Sequence, residues 1–292
     1  MPLFRAERPF AAIARSSGGA AIALLMLSSA EAEATRPPEN IDAEHIFGFT
    51  EGSDIGEKGE IEFENTSVAR LGREGGYATL QNEAAFRYGV ADGLRASLGL
   101  LADYHYSHDV PGLDDRNRGD FSGLTSEFRW AALARDQNPF GLTLSATPEW
   151  RRVDQLSGAR LENYNLPLTA LVDFEPIPRR LVAAVNFTYS PGFERFAGGW
   201  QIDHAIEISG AASFALTPSF FVGAEIRHDD RFQSGVATGH ALYVGPSIFL
   251  KFSDAMSIKL TWSAQIVDPG ASRLDLTNYE RHQILLLLVK SF

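Results

Sequence analysis

The chain contains no cysteine, which excludes disulfides and thiolate-held metal centres. It has no run approaching eighteen apolar residues, so no helix can cross a membrane. Basic residues are outnumbered, 26 against 37 acidic, and the net charge of −11 comes with no basic cluster. That balance argues against a nucleic-acid partner. An exported protein that must cross an oxidising compartment before folding gains from having no thiols to mispair.

What is present begins with a leader. Arg5, Arg8 and Arg15 precede a short apolar run from Ala20 to Leu27, and Ala32-Glu33-Ala34 places small residues where a signal peptidase cuts. Residues 1–34 are therefore read as a secretory signal peptide. Its removal takes away three arginines and three glutamates, so the net charge does not change. Residues 35–58 form a polar lead that composition alone leaves open as an arm, a plug or an extra strand. Residues 59–292 carry a repeating pattern.

The pattern is clearest from Gly76 to Tyr106. Leu94, Ala96, Leu98, Leu100, Ala102, Tyr104 and Tyr106 alternate with Arg95, Ser97, Gly99, Asp103 and His105. Before the Ala91-Asp92-Gly93 turn, Leu80, Ala84, Phe86, Tyr88 and Val90 alternate with Gln81, Glu83 and Arg87. A period of two with a turn between is a β-hairpin, apolar on one face and ionic on the other. The same alternation starts at Ile61 and recurs over 124–130, 142–150, 164–174, 181–189, 200–216, 220–228, 242–252, 256–266 and 277–292. Twelve strands result. Pro148 is a local exception, since it removes a ladder donor.

Connections alternate in length. Short ones lie at Asp92, Asp136 to Pro139, Pro176 to Pro178, Thr217-Pro218 and Ser253 to Ala255. Longer polar ones lie at 72–75, 108–120, 153–160, 191–199, 229–239 and 268–276. An outer-membrane barrel has this sorting, with short turns in the periplasm and long loops outside, whereas a soluble β-sandwich has no reason for it. Aromatic residues also cluster at strand ends. Tyr88, Trp130, Phe174, Phe214, Phe220 and Phe252 lie near short turns; Tyr104, Tyr106, Trp150, Tyr164, Tyr189 and Trp200 lie near long loops. Two interfacial girdles are implied. The expected fold is all-β, an antiparallel up-and-down transmembrane β-barrel of about twelve strands.

The chain ends on Ile284, Leu286 and Leu288 at alternate positions and then Phe292, which resembles the terminal signature read by the barrel-assembly machinery of Gram-negative outer-membrane proteins. Lys290 departs from that signature, and Leu285, Leu287 and Val289 make the inward phase unexpectedly apolar. Glu44-His45-Ile46-Phe47-Gly48-Phe49-Thr50-Glu51-Gly52, Gly59-Glu60-Ile61-Glu62 and Ala84-Phe86-Tyr88-Gly89-Val90 resemble an uncharacterised proteobacterial outer-membrane barrel family, a domain of unknown function. The resemblance implies a location in the outer membrane, among its lipid and lipopolysaccharide, and assembly through the carboxyl-terminal strand. It implies no activity.

Sites for chemistry are sparse. His204 and His228 share the outward phase of neighbouring strands, but neither stands in a His-x-Ser arrangement with a suitable Asn as a membrane-embedded hydrolase requires, and both read as snorkelling interface histidines. Asp114, Asp115, Asn117 and Asp120, and separately Asp229 and Asp230, could hold calcium, yet Arg116, Arg118 and Arg231 interleave with them. Neither a cofactor motif nor a metal motif stands out. The inward face offers Glu83, Arg87, Arg95, Asp103, Glu127, Arg129, Glu149, Arg151, Glu207, Glu225, Arg227, Lys251 and Lys259. Twelve strands give a backbone radius of about 12 Å, which such side chains largely fill. The expected function is a narrow channel for passive transport of small polar solutes, with no strong charge preference because both signs line it. A plugged structural or surface-interaction barrel is the alternative, and a hydrolase the second.

Overall fold

The computed structural model describes residues 41–196, 199–267 and 272–292, so the leader assigned to residues 1–34 lies outside it. Among the described residues every regular element is a strand. In order these are β1 (Ile61–Leu71), β2 (Gly76–Ala91), β3 (Leu94–His108), β4 (Arg116–Leu133), β5 (Gly141–Ala146), β6 (Glu149–Val153) and β7 (Arg160–Asn165). There follow β8 (Leu168–Ile177), β9 (Leu181–Phe196), β10 (Gly199–Thr217), β11 (Phe220–Gln233), β12 (Val236–Ser253), β13 (Met256–Ile266) and β14 (His282–Ser291).

Each strand pairs antiparallel with its neighbours, and β14 returns to β1 from Glu62↔Ser291 to Leu71↔His282, which closes the sheet. β5 and β6 lie end to end, as do β7 and β8, so fourteen segments make the twelve staves of a closed barrel. The two breaks face each other. Pro148 and Pro167 have no N–H to give, but their carbonyls still accept, from Ser126 N at 3.0 Å and Thr147 N at 2.9 Å.

Side-chain parity follows the sequence. Leu98, Phe86 and Trp130 are 64%, 59% and 56% exposed on the outer face, and large apolar residues stand exposed on every other stave. Their even-odd partners Arg95, Asp103, Arg129, Arg151 and Arg227 are buried inside. An apolar band this continuous requires lipid, not water, around it. Aromatic residues at both strand ends, such as Tyr88 and Phe252 at one rim and Tyr164 and Trp200 at the other, face outward.

Three details differ from the sequence reading. The stretches 191–199 and 229–239, read as long loops, are mostly ladder: β9 runs to Phe196, β10 starts at Gly199, and β11 and β12 meet across Ser234-Gly235 alone. Strands of up to 19 residues exceed the ~9–11 that cross a bilayer, so they continue beyond it as hairpins. Polar composition could not separate loop from solvated ladder. Both Ser234 (φ 49°) and Gly235 (φ 80°) are left-handed, the geometry of a type I′ hairpin turn. Finally, residues 277–281 are not strand. They turn into the barrel, where Tyr279 and Glu280 are wholly buried.

Candidate functional site: the lumen and its inner segment

Residues 41–58 form no strand, and the part up to Ile55 lies against the inward faces of the staves while 56–58 are exposed. The segment occupies the half of the barrel nearest the rim where β1 begins and β14 ends, here called the terminal rim. Apolar side chains seat it first. Ile41, Ala43, Ile46 and Phe47 pack on Val182 and Ala184 of β9, Ala215 of β10, Phe221 of β11 and Phe249 of β12. Phe49 packs on the cluster of Leu285, Leu287 and Val289 of β14, against which Val68 of β1 also lies. These are inward positions that a water-filled lumen would leave polar.

Hydrogen bonds then fix the segment. Glu225 Oε2 accepts from the backbone N–H of Phe49 at 2.7 Å and of Thr50 at 3.2 Å, while its Oε1 accepts from Ser263 Oγ at 2.9 Å. Asp173 Oδ2 accepts from Ser53 N at 2.7 Å, and Ser213 Oγ donates to Ile46 O at 2.9 Å. Gly48 is required where the backbone passes Glu225, since a Cβ there would collide with the carboxylate.

Charges complete the seat. Glu44 accepts from Arg87 Nη1 at 2.9 Å and from Arg95, with Arg129 at 4.0 Å. Arg129 also binds Glu51 of the segment and Glu127 of its own strand, the latter at 2.8 Å. Asp54 binds Arg135 at 2.7 Å. Burial by itself raises the Glu44 carboxyl, but Arg95, His45, Arg87 and Arg129 together hold it far below the ordinary carboxylate range. Arg227 lies over the Phe49 ring, 4.0 Å from its centroid, and bonds Gln283.

The thirteen residues assigned to the lumen thus separate into groups. Arg87, Arg95, Glu127, Arg129, Glu225 and Arg227 meet the inner segment or its direct partners. Asp103, Glu149 and Arg151 form a second cluster on the other side, with Arg151 at 2.8 Å from Asp103 and 2.7 Å from Glu149. Glu207 stands 3.7 Å from Arg227. Glu83 is half-buried and Lys259 fully buried. Lys251 has the right parity but stands exposed at the terminal rim, paired with Asp254 of the adjoining turn at 2.9 Å. It lies one turn from the end of its stave, where parity no longer implies burial.

The far half of the lumen is narrowed by two inward-folding connections. In residues 154–159, carbonyls meet His105 Nε2, Tyr77 Oη and Arg116 Nη1, at Gln155, Leu156 and Gly158 respectively. In residues 277–281, Tyr243 Oη donates to Glu280 O at 2.8 Å and Arg231 lies over the Tyr279 ring. Tyr279 and Glu280, like Arg135, Asp173, Glu62 and Glu64, were not picked out as lumen residues from the sequence. Elsewhere the loop acids are paired: Asp115 with His108 at 2.7 Å and Asp120 with Arg118 at 2.7 Å. On the outer face, His204 stacks on Phe232 at 4.8 Å and His228 meets Asp230 at 3.4 Å.

Cavities remain at both rims. One of about 280 Å³ opens at the terminal rim between Asp42, His45, Glu62 and Lys251, and one of about 830 Å³ opens there between Asp54, Arg135, Glu175 and Arg179. One of about 400 Å³ opens at the other rim between Arg151, Gln155, Asp203 and Arg231. The cavity at the other rim shares no lining residue with those at the terminal rim, and the inner segment lies between the two ends.

Residues 39–292 match the model of a family described as of unknown function, DUF6662. No curated protein matches the chain by sequence. Among solved structures, the fold is similar to an outer membrane channel from Pseudomonas putida F1, with a TM-score of 0.54 at 11% identity over 82% of this chain and 98% of that one. It is also similar to the NanC porin (TM-score 0.48, 10% identity, 79% and 98% covered) and the KdgM porin (0.42, 12%, 79% and 99%). At 11% identity the likeness to the Pseudomonas channel shows the barrel fold alone and leaves the lumen to be read from its own residues.

Proposed function

The chain belongs to the family of unknown function DUF6662, an uncharacterised family of outer-membrane β-barrels, and since that membership brings no activity with it we propose a function from the lumen itself. The protein is a channel for small polar solutes that is closed in this state by its own residues 41–58, and it conducts when that segment leaves its seat. The observation that carries this reading is that cavities open at both rims and are separated by a segment that adds no strand to the wall. Because no ladder hydrogen bond to the staves is needed to hold it, the segment can depart without opening the barrel.

Its packing on Val182, Ala184, Phe221 and Phe249 favours a second reading, a permanently filled barrel with a structural role. Planar-bilayer recording separates the two. The chain beginning at residue 35 is expected to be mostly closed, and a variant lacking residues 41–58 to conduct steadily with weak ion preference. A deletion variant that refolds, judged by heat-modifiable gel migration, and still stays silent would leave only the structural reading. Export through the leader at residues 1–34 and handling of β14 by the assembly machinery belong to the same proposal.

A further inference from the structure

We propose that a divalent transition-metal ion binds where the inner segment meets β1, held by His45, Glu62 and Glu64 with Glu44 beside them. Glu62 and Glu64 are two residues apart on one strand, so both face inward. Glu44 and His45 arrive from the inner segment. All four are buried, and one donor atom from each lies within 4.8 Å of the others.

Acidic groups gather in many lumens, so the cluster alone says little. The second observation is that His45 Nε2 is buried without a hydrogen-bond partner and is aimed at Glu64 Oε1, which has none either. The two atoms are 3.4 Å apart, and Nε2 is 3.8 Å from Glu44 Oε1. Two ligands each ~2.0–2.1 Å from one tetrahedral ion are about 3.3 Å apart. The spacing is loose for a hydrogen bond and close to what a shared ion imposes.

Donor chemistry narrows the ion. One imidazole with carboxylates and no thiolate suits zinc, or manganese and iron in the same charge state, whereas calcium and magnesium prefer oxygen alone. Arg87 already grips the remaining edge of the site, at 2.9 Å from Glu44 Oε1 and 2.5 Å from Glu64 Oε2. It therefore orients two of the carboxylates without occupying Glu64 Oε1. Arg95 and Arg129 also reach Glu44, and each is shared, Arg95 with Glu127 at 3.7 Å and Arg129 with Glu127 at 2.8 Å and with Glu51.

A route exists as well. His45 and Glu62 line the cavity at the terminal rim together with Asp42, Glu60 and Asp254, an acidic mouth. An ion bound there ties the segment to the wall by two residues on each side. The exposed trio His108, Asp109 and Asp115 makes no such demand, because His108 Nδ1 already meets Asp115 Oδ2 at 2.7 Å.

The test uses the barrel refolded in detergent, stripped with chelator and titrated with zinc chloride by calorimetry, with retained metal counted by mass spectrometry. One ion per chain is expected, with affinity falling at least about 10-fold in H45A and in E64Q; that is the lower end of what even changes to supporting residues cost. H108A and D115N are expected to bind as before. Each variant is first shown to refold by heat-modifiable migration, and X-ray absorption on the zinc-loaded barrel is expected to show a single imidazole. No retained zinc, or a loss that follows His108 instead of His45, overturns the proposal. None of these readouts depends on conductance.

Discussion

Glu225 is the single wall residue whose removal should free the inner segment most cleanly. Its Oε2 takes the backbone N–H groups of Phe49 and Thr50, at 2.7 and 3.2 Å, and its side chain is buried. A hydrogen bond to a charged acceptor contributes about 1.5–3 kcal/mol, so Glu225→Ala forgoes about 3–6 kcal/mol of seating. At 1.4 kcal/mol per tenfold, the ratio of released to seated segment should rise by roughly 10²–10⁴. Thr50 offers the reporter. It is wholly buried, its hydroxyl has no hydrogen-bond partner, and the chain has no native cysteine, so Thr50→Cys adds one silent thiol. When opening and closing are fast, the rate of labelling by an impermeant thiol reagent follows the released population. Labelling in the Glu225→Ala background should accelerate by that factor, and by less in Glu225→Gln, which keeps one acceptor. Equal rates in all three would refute the reasoning, as would a Thr50→Cys thiol in the otherwise native barrel that reacts as fast as one placed at exposed Ser234.

Topology is testable on whole cells: cysteines at Asp92 and Asp254 should resist an impermeant label while those at Asp114 and Ser234 react, and the reverse pattern would invert the barrel. Leu98→Arg puts a charge on the lipid face of β3 and should lower unfolding stability in vesicles by about 2–4 kcal/mol in a denaturant titration, whereas no change would mean that this face does not meet hydrocarbon. At the far rim, the bond from Asp115 raises the His108 pKa, and the same bond lowers that of Asp115. The pair should therefore persist below the ordinary histidine value of ~6.5 and be lost as pH climbs through the raised one; on the acid side it is lost as pH falls through the lowered Asp115 value. Titration by NMR should show the His108 pKa falling in Asp115→Asn, with the remaining rise held by Asp109, and a His108 unmoved by that change would remove the pairing.

Much of the lumen's occupancy left a trace in the chain that only its destination explains. Leu285, Leu287 and Val289 are an odd inward phase for a solvated barrel, and Val182, Ala184, Phe221 and Phe249 repeat the oddity on other staves. Each set faces an aromatic or aliphatic residue of the inner segment, Phe49 for the first and Ile46 and Phe47 for the second. Read together, they could have pointed to an apolar occupant. Read strand by strand, they looked like exceptions.

By itself the sequence determined the staves, their number and which side of each faces lipid, because strand parity is local and a residue's face follows from its neighbours two positions away. The turn at Asp92-Gly93 was readable for the same reason. Tertiary structure decided what fills the barrel. Glu44 to Gly52 has no period, and its partners lie far along the chain, Phe49 being 176 residues from the Glu225 that holds its backbone. The charges of Arg87, Arg95 and Arg129 were visible as an inward row, but that they converge on one carboxylate depends on closure bringing β2, β3 and β4 around a segment outside the sheet. The tertiary structure also turned residues 277–281 inward, where Tyr279 and Glu280 are buried. A two-residue period specifies a face of a strand; it carries no information about what comes to lie against it.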